Sequence, residues 1–478
     1  MAHDVYISGQ WSAGNGAAFE SLCPATGEAV WQGNAAGAAQ VIAAVKSAKA
    51  AFKDWSRTDF SARADILRRY AEVLTARKEA LALAISRDMG KPLWEARTEA
   101  GAMAAKVEIS IQAYEERTGE RLNAGSSLRH KPHGVMAVFG PFNFPGHLPN
   151  GHIVPSLLAG NTAVFKPSEL APSIAQIMAT AYTQAGLPDG VLNIVHGGLE
   201  TGGALLNADI DGLLFTGSAR TGAAFHKHFA GRPEIMLALE MGGNNPLIIM
   251  QPTRVTAAAD IAFMSAFITS GQRCSCTRRL ILPEGKFGDD VIAAIRARID
   301  DVTIGPWQNE VFMGPVVSVR AAQAAIDFEA MLIAKGGKPI KALERPDAGG
   351  AFLRPAMIDV TNADVPDEEL FGPLLQVIRV PNIDAAFARA NATRFGLAAG
   401  LVSDDADLWA RAQIEMKAGI LNWNKPTTGA ASSLPFGGPG GSGNHRPSAY
   451  YAADYCAWPQ ASQTSPEALA PKMVGFNA

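Results

Sequence analysis

The sequence predicts an α/β fold built from two successive units. Short apolar runs alternate with amphipathic segments of ten or more residues, a pattern typical of parallel strands joined by helical crossovers. The strand candidates are 135–140, 162–169, 191–198 and 212–218, followed by 245–250, 279–283, 373–380 and 398–403. A chain of 478 residues also exceeds the roughly 250–300 residues at which a single core stops growing. We therefore expect a break between the units near the turn at 240–245.

Helical periodicity occupies the segments before and between these strands. Apolar residues recur at spacings of three and four in 38–55 and 61–90, and Gly90 is suited to end the second segment. A helix is also predicted from Pro172 to Ala185, because proline stands at its start and glycine follows its end. The helices expected in the second unit are 290–300, 320–335 and 405–416. Residues 119–134 show polar alternation and turn residues, which predict a projecting β-ribbon.

Composition excludes several classes of function. Net charge is −3, 48% of residues are hydrophobic and 18% are charged, so no basic surface for nucleic acid is expected. The first residues lack the charged and apolar regions of a signal peptide, and no apolar run reaches the ~18–20 residues of a membrane span. Four scattered cysteines do not form a disulfide framework. We expect a cytoplasmic protein that binds neither nucleic acid nor membranes.

Two turns at the carboxyl ends of predicted strands are candidates for ligand binding. Gly217–Gly222 follows a strand and opens a helix, which directs free backbone N–H groups at an anion. Lys166 and Glu169 follow another strand, where a lysine can hold ribose oxygens and a carboxylate can accept both hydroxyls of an unphosphorylated ribose. Each motif alone is more often an ordinary or solvated turn.

Two polar side chains lie in turns that suit catalysis. Asn143 stands among Pro and Phe residues, where its amide can donate to a developing oxyanion, although turn-forming asparagines are commoner. Glu240 precedes a double glycine, which permits close approach of a ligand to a carboxylate able to act as a base. His147 and His152 have no further ligand at metal-binding spacing, so no metal is expected.

Cys274 and Cys276 lie one residue apart in the stretch Ser-Gly-Gln-Arg-Cys-Ser-Cys. Cys274 is adjacent to Arg273, and a neighbouring cation lowers the pKa of a thiol and favours the nucleophilic thiolate. A buried cysteine is more often a small hydrophobic residue, which is the expectation for Cys276. The residues alone make Cys274 only the likelier nucleophile of the two.

Seven motifs in a fixed order resemble the NAD(P)-dependent aldehyde dehydrogenase superfamily. They are GPFNFP (140–145), FKPSE (165–169), FTGSARTG (215–222), LEMGGNN (239–245), GQRC (271–274), EELFGP (368–373) and PFGG (435–438). The resemblance extends from the N-terminal region to about residue 456 and implies three regions. A Rossmann-type NAD-binding domain is expected at 1–118 and 137–242, and an α/β catalytic domain at 243–445. A small β oligomerisation region is expected at 119–136 and 446–478, in a homodimer or homotetramer.

The resemblance also implies a role for each matched residue. Cys274 is the expected nucleophile, which forms a thiohemiacetal and then a thioester. Asn143 and the backbone N–H of Cys274 are expected to hold the oxyanion, and Glu240 to activate water. The expected cofactor-binding residues are Lys166, Ser168, Glu169, Gly217, Ser218, Ala219, Arg220, Thr221, Gly222, Glu369 and Phe371. The cofactor is expected to be NAD, because a carboxylate at Glu169 repels the 2′-phosphate of NADP.

Several stretches refine the expected substrate. Residues 141–155, 239–247, 271–280, 422–430 and 442–459 are similar to family members that oxidise N-succinylglutamate 5-semialdehyde in arginine breakdown. Such a dianionic substrate needs cationic or hydroxyl partners, and the candidates are Arg278, Thr427, His445 and Arg446, with Arg279 a weaker one. The alternatives are another acidic semialdehyde, such as succinic or glutamate semialdehyde, a binding protein without turnover, and a cysteine hydrolase that needs no NAD.

Overall fold

The computed structural model describes residues 3–251, 254–346, 350–468, 470–471 and 473–475. The strands in chain order are β1 (Val5–Ile7), β2 (Gln10–Ser12), β3 (Ala18–Leu22), β4 (Ala29–Asn34), β5 (Arg121–Asn123), β6 (Ser126–Pro132), β7 (Val135–Phe139), β8 (Thr162–Lys166), β9 (Leu192–Val195), β10 (Gly212–Gly217), β11 (Met236–Met241), β12 (Asn245–Ile249), β13 (Thr277–Pro283), β14 (Lys338–Lys341), β15 (Ala356–Asp359), β16 (Leu374–Val380), β17 (Ala398–Val402), β18 (Ile420–Trp423), β19 (Pro435–Phe436), β20 (Ser448–Ala449) and β21 (Ala457–Gln463).

The α-helices lie mostly between these strands. In chain order they are α1 (Ala38–Trp55), α2 (Phe60–Ala76), α3 (Lys78–Met89), α4 (Leu93–Arg117), α5 (His147–Ala159), α6 (Ser173–Gln184), α7 (Leu199–Leu206), α8 (Ala219–His228), α9 (Val255–Phe267), α10 (Lys286–Asp301), α11 (Val319–Ala334), α12 (Ile383–Asn391), α13 (Ala406–Glu415) and α14 (Ala452–Tyr455). Two short 3-10 helices occur at Ile268–Gly271 and Gly440–Ser442. Within the described ranges, no helix is both long enough and apolar enough to cross a membrane.

The first sheet has seven strands in the order β11-β10-β7-β8-β9-β1-β2. Strands β7 to β11 are parallel, whereas β1 and β2 pair antiparallel at one edge. One face packs against α2 to α6, and the other face packs against α1, α7 and α8. Because β7, β8 and β10 are buried throughout, they read as continuous apolar runs. Their carboxyl ends form a single edge, which carries the loop at 140–146 and the start of α8.

The second sheet also has seven strands, in the order β14-β15-β16-β13-β12-β17-β18. All of its pairs are parallel except β14 with β15. Helices α9 and α10 cover one face, and α12 and α13 cover the other. The first sheet ends at Met241 and the second begins at Asn245. Glu240 and Cys274 therefore approach each other from neighbouring sheets.

The ribbon predicted at 119–134 is formed by β5 and β6. It continues into a three-stranded sheet because β21 pairs antiparallel with β6 along seven residues, from Ala457 opposite Pro132 to Gln463 opposite Ser126. Asn161 ties this sheet to the first unit. Its side chain donates to the carbonyl of Cys456 at 2.6 Å and accepts the backbone N–H of His133 at 2.7 Å.

The predicted α/β class is confirmed, and each of the eight predicted strands coincides with an observed one. The segment 61–90 is two helices instead of one, because the chain turns at Arg77. Gly90 ends α3 in a left-handed conformation, with φ of 73°. Strands β1 to β4, β11, β14, β15 and β18 to β20 were not predicted, since most of them are short or precede polar turns. Helix α5 was not predicted either, because it contains Pro149 and Pro155.

Candidate active site

Two cavities meet at the junction of the two sheets. The larger has a volume of about 630 Å³ and lies against the carboxyl ends of β7, β8 and β10. The smaller, of about 240 Å³, lies between α4, the start of α5 and the segment 428–449. Among the described residues, only Glu240 and Cys274 line both cavities. These two side chains therefore stand where molecules in the two cavities would come closest to each other.

The loop that carries Cys274 begins with three residues in the left-handed region. After α9 the φ angles of Thr269, Ser270 and Gly271 are 56°, 55° and 73°. Left-handed backbone costs about 1–2 kcal/mol for each residue that has a side chain. A Cβ on Gly271 would lie 2.2 Å from the carbonyl oxygen of Gly372, so glycine is required there. These residues reverse the chain and bring Cys274 back to the start of β13.

Two buried side chains hold this loop against the second sheet. The amide of Asn245 donates to the carbonyls of Cys274 at 2.7 Å and Cys276 at 2.8 Å. The guanidinium group of Arg278 donates to the carbonyls of Gly271 at 2.6 Å and Arg273 at 3.0 Å. Backbone carbonyls on both sides of Cys274 are thereby satisfied, and its position is set by strands β12 and β13.

The pKa of the Cys274 thiol lies well above its ordinary value. The main cause is desolvation, since the thiol lies where the two cavities meet and is only partly open to solvent. The negative charges of Glu240 and Glu369 raise the pKa of the thiol further, and the guanidinium of Arg278 opposes them. The thiol is therefore protonated in the free protein at neutral pH.

The expectation that Arg273 lowers the pKa of Cys274 is wrong. The guanidinium of Arg273 turns away from the thiol and pairs with the carboxylate of Glu95 at 2.8 Å. It also donates to the hydroxyl of Thr269 at 2.7 Å and lies over the ring of Phe144. Adjacency in sequence therefore did not produce proximity of the charged group.

Cys276 occupies a different environment from Cys274. It is completely buried, and its Sγ donates to the carbonyl of Ile268 at 3.8 Å. It lines neither of the two cavities. This placement agrees with the expectation that Cys276 is a small hydrophobic residue.

Glu240 lies near the end of β11, opposite Thr216 of β10. Its carboxylate is buried, and neither oxygen accepts a hydrogen bond of ordinary geometry from a described residue. Burial raises the pKa of Glu240 to about 8, although the Ser448 hydroxyl and the ammonium of Lys106 lower it. The hydroxyl of Ser448 donates to the carbonyl of Phe436 at 3.2 Å instead of to the carboxylate.

Asn143 is anchored next to the loop that carries Cys274. Its amide donates to the carbonyl of Gln272 at 2.9 Å, and Gln272 is fixed in turn by Val317 and Thr269. An amide has two N–H donors, so one bond to Gln272 leaves the other free. Asn143 also lines the larger cavity together with Cys274.

Most of the predicted cofactor residues line the larger cavity. They are Lys166, Ser168, Glu169, Gly217, Ser218, Thr221, Glu369 and Phe371. Ala219, Arg220 and Gly222 lie in the first turn of α8 and do not line it. The hydroxyl of Ser218 accepts the backbone N–H of Thr221 at 3.2 Å, which caps the helix and leaves its earlier N–H groups free.

Lys166 and Glu369 both line this cavity. Lys166 donates to the carbonyl of Gly197 at 2.7 Å, and its ammonium lies 3.6 Å from the carboxylate of Glu169. Burial raises the pKa of Glu369 to about 7, even though Arg278 lies 3.6 Å away. A Cβ on Gly242 would lie 1.7 Å from a carboxylate oxygen of Glu369, so glycine at this position makes room for it.

None of the four candidate substrate ligands lines the smaller cavity. The donors of Arg278 bind backbone carbonyls, as described above. The hydroxyl of Thr427 donates to the carbonyl of Ser275 at 2.8 Å, so it supports the loop from behind. His445 and Arg446 line a separate cavity of about 380 Å³ on another side of Glu240. Arg279, the weaker candidate, donates to three backbone carbonyls.

The smaller cavity contains polar residues that the sequence reasoning missed. Lys106 projects from α4 and is 2% exposed, while Thr428 and Ser432 come from the C-terminal segment. His152 lines the same cavity and forms hydrogen bonds with the hydroxyls of Tyr455 at 2.8 Å and Thr216 at 2.9 Å. No short motif marks Lys106. In the sequence, Lys106 stands out as a charged residue on the same face of a long helix as the apolar residues.

Comparison with known proteins identifies the family. A model described as the Aldehyde dehydrogenase family matches residues 11–460, so the chain belongs to the aldehyde dehydrogenase family. A relative from Burkholderia multivorans, named N-succinylglutamate 5-semialdehyde dehydrogenase, is 55% identical over 481 residues, which cover 98% of each chain. The family acts on small-molecule aldehydes, which is consistent with a cavity of about 240 Å³ beside Cys274.

Solved structures share the whole fold. A mutant of aldehyde dehydrogenase C from Pseudomonas syringae, in complex with NAD+ and octanal, is 31% identical with a TM-score of 0.92, and the match covers 98% of each chain. An NADP-dependent enzyme from E. coli is 28% identical with a TM-score of 0.90, over 96% of this chain and 98% of that one. Relatives of this fold therefore include enzymes of both cofactor types.

The environment of Cys274 predicts its reactivity. Iodoacetamide should modify one thiol per chain, because Cys23, Cys276 and Cys456 are at most 2% exposed. The modification rate should rise steadily with pH, because the pKa of Cys274 is raised. Glu240→Gln should increase the rate at pH 10 roughly 3- to 10-fold, since Glu240 is ionised there in the wild type and losing its negative charge lowers the thiol pKa by half a unit to one unit.

Intact-mass spectrometry of timed samples measures this modification. Cys274→Ser should take up no label, and the exposed-site variant Glu234→Gln should react at the wild-type rate. A second thiol labelled equally fast, or a Glu240→Gln rate below that of the wild type, would contradict the described electrostatics.

Proposed function

We propose that the protein oxidises N-succinyl-L-glutamate 5-semialdehyde to N-succinyl-L-glutamate with NAD, in the breakdown of arginine. The observation that carries the proposal is that Cys274 and Glu240 are the two residues of the described chain that line both cavities. A nucleophile and a base are thus placed where a substrate and a cofactor can meet. The name of relatives that are 55% identical over 98% of the chain supports this particular substrate.

The larger cavity suits an NAD molecule. Glycines at 198 and 203 have open space where a Cβ would stand, so a ligand can approach the backbone closely. The free N–H groups of α8 suit a pyrophosphate. Lys166 and Glu169 would hold the adenosine ribose, and the carboxylate oxygen of Glu369 that accepts no hydrogen bond would bind a hydroxyl of the nicotinamide ribose. When bound, NAD supplies a cationic nicotinamide ring that accepts a hydride.

Cys274 would act as the nucleophile. An aldehyde carbon cannot release hydride until an attacking group has made it tetrahedral, and a thiolate both attacks readily and leaves well from the acyl stage. The free N–H of the Asn143 amide and the backbone N–H of Cys274 would stabilise the oxyanion. Loss of hydride from the tetrahedral carbon would leave a thioester on Cys274.

Glu240 would serve as the base for the second half of the reaction. Its carboxylate borders the smaller cavity beside Cys274, and it would take a proton from the water that attacks the thioester. Hydrolysis would release the carboxylic acid and the free thiol. Because burial raises the pKa of Glu240 to about 8, hydrolysis should become faster as the pH rises through that value.

The placement of the side chains revises the proposed substrate contacts. Arg278 and Thr427 would hold the loop that carries Cys274 in place instead of binding substrate. His445 and Arg446 would border the entrance on the far side of Glu240. The hydroxyls of Thr428 and Ser432 line the smaller cavity and would donate to the carboxylates of the substrate.

We further propose a homodimer or homotetramer in the cytoplasm. Strands β5 and β21 are the outer strands of the three-stranded sheet, and each pairs with β6 on its inner side. The outer edge of such a strand can pair with another chain. Leu122 is 68% exposed and Trp458 is 41% exposed on these strands, which supports burial against a second copy. All four cysteines are free thiols, which is typical of a reducing compartment.

The substrate proposal predicts a strong preference. Initial rates of NADH formation should give a kcat/KM for N-succinylglutamate semialdehyde roughly 100-fold above that for glutamate semialdehyde or succinic semialdehyde, because a site built for polar groups rejects analogues that lack them. Cys274→Ser should form no NADH with any of the three. Preference for another aldehyde would discard the substrate but keep the chemistry, whereas no NADH at all would refute both.

Cofactor choice should depend on Glu169. The wild type should prefer NAD, because the carboxylate binds ribose hydroxyls and repels a 2′-phosphate. Glu169→Gln should raise kcat/KM for NADP by about tenfold, equivalent to about 1.4 kcal/mol. Glu200→Gln, an acidic-to-amide change on nearby α7, serves as the control. Equal efficiency of the wild type with both cofactors would contradict the assignment.

A further inference from the structure

Lys106 and Glu240 are two unpaired charges in one buried cavity. Both line the smaller cavity, and they are 2% and 4% exposed. Within the described ranges, the ammonium of Lys106 has no hydrogen bond or direct ion pair, and the carboxylate of Glu240 accepts no hydrogen bond of ordinary geometry. Their opposite charges nevertheless interact through space.

The other charged groups of this cavity are already neutralised. Glu95 pairs with Arg273 at 2.8 Å, and Glu99 pairs with Lys91 at 2.8 Å. Glu99 also accepts two backbone N–H groups at the start of α5. Burying a lone ammonium group is costly, so its persistence beside an equally lone carboxylate indicates that the two charges support each other.

We propose that Lys106 is a positioning residue whose ammonium group favours the ionised form of the Glu240 carboxylate, and that it thereby sets the pH range in which the thioester is hydrolysed. The inference rests on the proposed function, in which Glu240 is the base. Lys106 itself contacts no reacting atom in this account. It acts only through the charge state of Glu240.

Among the described titratable groups around Glu240, Lys106 is the cation that can favour its ionised form. Three titratable groups face Glu240. They are Lys106 on α4, Cys274 on the loop before β13, and Tyr455 on α14. His147 and His152 of α5 line the same cavity, but burial and the charge of Lys106 lower their pKa values to about 4 and about 3, so both are neutral. Cys456 and Tyr455 have raised pKa values and are neutral as well.

The sign of the effect follows from linkage. Burial raises the pKa of Glu240 to about 8 and lowers that of Lys106 to about 8, while each charge partly offsets the shift of the other. Without the ammonium group of Lys106, that cation no longer opposes the increase in the pKa of Glu240 that burial causes. The pKa of the carboxylate then rises further, and less of the base is ionised at neutral pH.

The test separates acylation from hydrolysis in Lys106→Met, Lys106→Gln and Lys106→Arg. Enzyme, NAD and N-succinylglutamate semialdehyde are mixed between pH 6 and pH 10, with propanal as an uncharged substrate. Stopped-flow absorbance gives the rate of NADH formation, and quenched samples analysed by intact mass give the decay of the acyl-enzyme. Lys78→Met, on the exposed surface of α3, is the control, and thermal unfolding checks that each variant is folded.

For Lys106→Met and Lys106→Gln, we expect the inflection of hydrolysis to move up by about one pH unit, which makes hydrolysis at pH 7 about tenfold slower. The shift should be the same for both aldehydes. Lys106→Arg should restore the wild-type profile, because Gly151 leaves room beside the end of the Lys106 side chain.

An unchanged inflection in the charge-removing variants would overturn the inference. So would a raised KM for the succinylated substrate alone, which would make Lys106 a ligand for a substrate carboxylate. Absence of NADH formation by the wild type with both aldehydes would instead refute the proposed function. These results are distinguishable because the wild-type assay is independent of Lys106.

Discussion

The position of Cys274 depends on the hydrogen bonds of Asn245 and Arg278. The two residues lie at the starts of neighbouring strands. Their side chains donate hydrogen bonds to four backbone carbonyls of the loop around Cys274. The loop includes two non-glycine residues in left-handed conformations, so it would not adopt this path unaided. Leaving a buried polar group unsatisfied costs about 1–3 kcal/mol. The second sheet therefore fixes Cys274, and the first sheet brings Glu240 to it.

The second constraint is electrostatic. The junction buries Cys274, Glu240 and Glu369 together, and desolvation raises the pKa of all three groups. Each ionisation also makes the others less favourable, because the charges are alike. A positive charge in either cavity has the opposite effect and favours both the thiolate and the carboxylates. The resting protein thus holds a protonated thiol whose ionisation depends on the cations beside it.

Most of the architecture could be predicted from the sequence because parallel strands buried on both faces appear as short apolar runs between helices. Cys274 and Glu240 could be predicted from their motifs, but their surroundings could not. Arg273 is adjacent to Cys274 in sequence, yet it pairs with Glu95, which lies on a distant helix. Lys106 was missed because charged residues on one stripe of a helix usually face solvent. Here that stripe faces a cavity formed by three other segments of the chain.

In the proposed reaction, Cys274 carries the acyl group and Glu240 activates the water that removes it. The most direct measurement mixes Glu240→Gln with NAD and N-succinylglutamate semialdehyde, followed by acid quench, intact-mass spectrometry and peptide mapping. The account predicts one equivalent of NADH and a stable increase in mass of one succinylglutamyl group on the peptide that contains Cys274. NADH formation without an adduct, or an adduct on any other residue, would contradict it.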